Sequence, residues 1–90
     1  MLEGKTIIRN PLGLHARAAA QLVRLAGKFQ SRIQLRRTDN LNVADAKSIL
    51  SVLTLAASKG IEIEIETEGA DEKEALFAIE EIFANGFGET

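Results

Sequence analysis

The chain has 90 residues with 11 Lys or Arg, 13 Asp or Glu and a single His, for a net charge of −2. A chain this short buries only about 60–65% of the surface its unfolded form exposes. That is enough for one domain over residues 1–90 and leaves no room for a deep catalytic cleft. There is no Cys, so disulfides and thiolate metal sites are excluded, and one His cannot build a structural zinc site. Dispersed basic residues and four Phe as the only aromatics argue against nucleic-acid binding.

The start, Met1-Leu2-Glu3-Gly4-Lys5, has no basic stretch followed by an apolar one. No apolar run approaches membrane-spanning length. A cytoplasmic chain without membrane insertion is expected.

In chain order, residues 2–8 read as a first strand and Asn10-Pro11 with Gly13 as the loop after it. Ala19, Leu22, Val23, Ala26 and Phe29 fall at helical spacing and predict a helix over 16–28. Residues 32–36 alternate as a strand, Thr38-Asp39-Asn40 forms a turn, and a short strand follows over 41–44. Over 48–56, Ile49, Leu50, Val52, Leu53 and Leu55 cover most of a short helix's circumference. One sheet cannot bury all of them, so an exposed apolar patch is expected there. Residues 61–68 alternate Ile with Glu, which means one buried and one wet face. Arg32 and Arg36 would suit positions across from Glu62, Glu64 and Glu66, although other pairings would satisfy the charges. A last helix over 71–84 has Asp71 as its predicted N-cap, Glu74 in the capping-box position and Gly86 as its stop. The order βαββαβα gives an α+β fold, one four-stranded antiparallel sheet covered on one face by three helices.

His15 is the chemically informative residue. It falls at the start of the first predicted helix, where backbone N–H groups lack partners and the dipole end is positive. Such a place attracts phosphate and disfavours a charged imidazolium. A neutral imidazole has a lone pair with which to attack phosphorus. Arg17 offers a planar fork of donors, and Gly13 lets the backbone come close. Residues 10–28 contain no acidic side chain that would repel an incoming anion. Each residue also has a plain reading: a surface histidine, a solvated arginine and a turn glycine.

The run Gly13-Leu14-His15-Ala16-Arg17-Ala18-Ala19 resembles the active-site signature of HPr, the phosphocarrier family of the bacterial phosphoenolpyruvate-dependent phosphotransferase system. Ala46-Lys47-Ser48-Ile49-Leu50 resembles that family's regulatory-serine segment, and the resemblance extends over nearly the whole chain. It implies an open-faced β-sandwich that takes phosphate from Enzyme I and passes it to a histidine of an Enzyme IIA domain. His15 would accept on Nδ1, Arg17 and the N–H groups of Ala16, Arg17 and Ala18 would hold the phosphate, and no metal or cofactor would be needed. Ser48 would be the target of an HPr kinase/phosphorylase; as a plain N-cap it would contribute about 1 kcal/mol. A monomer is expected, with a transient partner interface over Leu14, Ala16, Ala20, Ile49, Leu50 and Leu53 and with Arg17, Arg24 and Lys28 at its rim. Ala18 stands where the family most often has Pro, which restores one N–H donor. Leu12 and residues 85–88 look closer to the nitrogen-related branch than to the sugar branch. Two other readings stay open: a regulatory binding module of this fold that is not phosphorylated, and, more weakly, an enzyme acting on a small molecule.

Overall fold

A computed structural model describes residues 1–89. The elements are β1 (Leu2–Ile7), α1 (Ala16–Ala26), β2 (Arg32–Arg37), β3 (Val43–Asp45), α2 (Ile49–Thr54), β4 (Glu62–Glu68), α3 (Glu72–Ala84) and a single 3-10 turn over Gly86–Gly88. The strands form one antiparallel sheet in the order β1-β4-β2-β3. This is the α+β fold that the periodicities predict and the open-faced sandwich that the resemblance implies. No helix of the described residues is long and apolar enough to cross a membrane.

Period-two alternation sends Ile33 and Leu35 of β2 and Ile63 and Ile65 of β4 into the core, where all four are fully buried. Leu22 of α1, Val52 of α2 and Ile79 and Phe83 of α3 pack over them. On the wet face, β2 and β4 are neighbours as the charges suggest, but the register is specific. Arg36 pairs with Glu64, Arg32 lies opposite Glu68 at 2.9 Å, and Glu66 faces Gln34.

Two expectations need correction. β3 is three residues, Val43–Asp45, and starts later than predicted, because Leu41 adopts a left-handed conformation (φ 63°) that extends the turn. Asp71 precedes α3 but its side chain does not cap it. The carboxylate instead accepts from the backbone N–H groups of Gln30 and Ser31, both at 2.9 Å, and from the Ser31 hydroxyl at 2.5 Å. It therefore pins the entry to β2. The Ser31 hydroxyl and the Gln30 N–H stabilise the charged form and lower the Asp71 pKa to about 2.

Two basic side chains tie α2 to its surroundings. Arg37 of β2 donates to the Leu55 carbonyl at 2.8 Å beyond the end of α2 and grips Asp39 with two nitrogens. Lys47 donates to the Phe29 carbonyl at 2.7 Å, joining the exit of α1 to the entry of α2.

Candidate functional site

The loop between β1 and α1 is held from both sides. Asn10, fully buried, accepts the Gly13 N–H on its backbone carbonyl at 3.2 Å and donates its side-chain amide to the Gly13 carbonyl at 2.7 Å. Leu14 N–H donates to the Ala57 carbonyl at 2.9 Å. Gly13 is required here: its φ is +66°, and a Cβ would lie 2.5 Å from the Ala57 oxygen and 2.8 Å from Ser58 Cα.

This loop delivers His15 as the N-cap of α1, with extended backbone (φ −75°, ψ 178°). Its carbonyl accepts the Ala19 N–H at 2.8 Å, and its Nδ1 accepts the Arg17 N–H at 3.3 Å. The N–H groups of Ala16 and Ala18 have no acceptor among the described residues. The ring is a quarter exposed, with 25% of its side-chain surface open to solvent. An accepting Nδ1 needs its lone pair, so the neutral ring must carry its proton on Nε2.

What Nε2 meets was not legible from the sequence. Glu89, 74 residues away, places Oε2 at 2.5 Å from it. Its other oxygen, Oε1, accepts from the Asn10 amide at 3.1 Å. The Asn10 amide, and then the His15 ring, hold the Glu89 carboxyl below the usual carboxylate range, and Arg17 adds a smaller attraction. The expectation of a site without carboxylates holds for the local segment and fails in three dimensions. The carboxylate sits at Nε2, however, and leaves Nδ1 facing the helix N-terminus.

Glu89 arrives there by an unusual backbone. Gly86, Phe87 and Gly88 follow α3 with φ of 59°, 55° and 76°. A left-handed Phe is costly. It is retained because Phe87 is buried and meets the Phe83 ring edge-on at 5.1 Å between centroids. Gly86 stops α3, as predicted, and the tail then turns back to His15.

The expected interface residues divide. Leu14 is 4% exposed and belongs to the core, which removes it from any docking surface: the Leu14 N–H bond to Ala57 holds the backbone that turns its side chain inward. Ala20 and Leu53 are half-buried, with Leu53 packed against the core. Ile49 and Leu50 are exposed, Leu50 at 73%, as the all-round apolar pattern predicts. Leu12, read in the sequence only as a branch marker, is 69% exposed in the His15 loop. Arg17, Arg24 and Lys28 are exposed, and Arg17 has no ion-pair partner among the described residues. Ser48 caps α2, its Oγ accepting the Ser51 N–H at 3.3 Å.

The family model described as "PTS HPr component phosphorylation site" matches residues 2–85. The phosphocarrier protein HPr of Cupriavidus necator is 49% identical over 99% of this chain and 98% of its own length. The phosphocarrier protein NPr of Proteus mirabilis is 42% identical over 94% and 93%. Among solved structures, an HPr of Thermoanaerobacter tengcongensis superposes with a TM-score of 0.92 at 38% identity, covering 100% of this chain and 99% of that one. The HPr of Bacillus anthracis gives 0.85 at 33% identity, covering 91% and 95%. With its fold, its histidine at a helix N-terminus and its whole-length likeness all in agreement, the chain belongs to the HPr family of phosphocarrier proteins of the phosphotransferase system.

Proposed function

We propose that His15 accepts a phosphoryl group on Nδ1 from phosphorylated Enzyme I and passes it to a histidine of an Enzyme IIA domain in the cytoplasm. The observation that carries this reading is the direction of the two ring nitrogens: Nδ1 faces the Arg17 N–H at the start of α1, and Nε2 is occupied by Glu89. The ring thus meets phosphorus with the nitrogen nearest the positive helix end. Once the N–P bond forms, the phosphate oxygens take over the N–H groups of Ala16, Arg17 and Ala18, and the Arg17 guanidinium closes on them.

Transfer needs two proteins to meet and part quickly, which suits a modest apolar patch better than an enclosed pocket. Leu12, Ile49 and Leu50 supply such a patch, with Ala16 and Ala20 allowing close approach and Arg17, Arg24 and Lys28 at the edge. The open groove lined by Lys5, Ile7, Arg9, Glu62 and Glu80 does not include His15, which disfavours a small-molecule substrate. Ser48 is proposed as the regulatory phosphorylation site for an HPr kinase/phosphorylase. A dianion there would keep the N-cap role and set negative charge beside Ile49 and Leu50. The test is incubation with Enzyme I and labelled phosphoenolpyruvate. Acid-labile label on the wild type and none on His15→Ala is expected, and equal labelling of the two refutes the reading.

A further inference from the structure

The tail of this chain is built to hold one carboxylate against His15. Three consecutive left-handed residues, one of them a buried Phe, fix its path, and a buried Asn amide fixes one carboxylate oxygen while the imidazole takes the other. Asn10 reinforces this geometry. Its Nδ2 is committed to the Gly13 carbonyl and to Glu89, and its Oδ1 is buried without a partner. Turning the amide over would set that oxygen against two other oxygens. A buried polar atom left unpaired has a cost, and here it is tolerated in a place that holds Glu89.

We propose that Glu89 is a positioning residue that keeps the proton on Nε2 of His15 throughout the phosphorylation cycle. The inference rests on the reading of His15 as the phosphoryl acceptor. In the resting ring the carboxylate accepts the Nε2–H bond, and the lone pair stays on Nδ1. During uptake that lone pair forms the N–P bond, while the bond from phosphorus to the donor breaks and its electron pair leaves with the donor. No proton moves. The product is a phosphoimidazole still protonated on Nε2, therefore cationic, beside the Glu89 carboxylate. During delivery the lone pair of the acceptor histidine bonds to phosphorus as the N–P bond breaks, and the N–P pair returns to Nδ1. The ring leaves as neutral imidazole, a far better leaving group than the imidazolate a deprotonated ring would have to become. The charged groups placed to act on this ring among the described residues are Glu89 at Nε2 and Arg17 beside the helix start.

The test uses the full chain, labelled with 15N at histidine. Wild type, Glu89→Gln and Glu89→Ala are compared, first unphosphorylated and then after phosphorylation by Enzyme I and phosphoenolpyruvate. In the resting protein, with the ring neutral, Glu89→Ala should move the tautomer ratio toward Nδ1–H by up to about tenfold. Glu89→Gln keeps one oxygen acceptor, for which the Asn10 amide and the ring N–H compete, and should move the ratio less than Glu89→Ala does. In the phosphorylated protein Glu89→Gln should lose the Nε2 proton about one pH unit lower than wild type. Its delivery to the acceptor should slow in the same pH interval, an effect that a merely structural role for the tail would not produce. Unchanged tautomer in Glu89→Ala, or unchanged titration of the phosphorylated ring in Glu89→Gln, overturns the proposal. If the wild type takes up no phosphate, the reading of His15 fails instead, and the resting tautomer ratio still decides the role of Glu89.

Discussion

Replacing Gly13 by Ala separates backbone strain from steric conflict, because Gly60 supplies an internal control. Gly13 has φ +66° and Gly60 has φ +92°, so Ala is disfavoured at both. A Cβ at Gly60 meets nothing within 4 Å. There the cost is the left-handed conformation, about 1–2 kcal/mol, partly offset by about 0.4–1 kcal/mol from the stiffer unfolded chain. At Gly13 the Cβ would lie 2.5 Å from the Ala57 oxygen and 2.8 Å from Ser58 Cα, both backbone atoms that cannot swing aside. Relieving that overlap adds about 1–3 kcal/mol. It also displaces the Ala57 carbonyl that accepts from Leu14 N–H at 2.9 Å, a bond with a net value of about 1 kcal/mol. Gly13→Ala should therefore cost about 3–4 kcal/mol, against about 1 kcal/mol or less for Gly60→Ala. For a domain of this size that is a fall in Tm of about 15–20 °C against about 5 °C. Calorimetry measures both. The moved loop carries His15, so phosphoryl uptake by the folded Gly13→Ala protein should also slow, measured well below its Tm. Two variants melting within a few degrees of each other would show that the loop is not clamped against Ala57 and Ser58.

Leu50→Asp should leave stability within about 0.5 kcal/mol, because the side chain is exposed and an acidic residue suits the first turn of a helix. It should raise the KM for uptake from Enzyme I by at least about fivefold, and an unchanged KM would remove α2 from the docking surface. Asp71 gives a pH signature. Its folded value of about 2 lies below the ordinary 3.8, so the stability it contributes is complete above about pH 4 and fades as the pH falls toward 2. The difference in Tm between wild type and Asp71→Asn should then narrow over that interval; a difference that stays constant from pH 7 to pH 2 refutes the assignment.

The strands and helices were legible because their signals are periodic and local. Alternating Ile and Glu in β4 and the apolar spacing of α1 each encode which face is buried, and the sheet uses both as encoded. The all-round apolar run of α2 also reported its own excess, and Leu50 is exposed for that reason. Register is a pairwise property, so the partner of Arg32 is Glu68, outside the set of Glu62, Glu64 and Glu66 expected from charge alone. Asp71 misled because a cap and a cross-element clamp present the same residue before the same helix. His15 and Arg17 were visible through their helix start. Glu89 was not, because nothing in a one-dimensional pattern links it to position 15, and Asn10 was read only as a loop marker. The available signal was the glycine pair around Phe87, which predicts a sharp turn after α3 without saying what the turn delivers.

The separation between ring and carboxylate, 74 residues, has a bearing on synthesis. A nascent chain leaves the ribosome with its histidine first and its glutamate among the last residues described. Until residue 89 has emerged, Nε2 is open to water and lacks the carboxylate that accepts from it. The proton-holding contact thus becomes available only to a polypeptide that has been made through that position and folded back on itself, and a prematurely released fragment would carry the nucleophile without its partner.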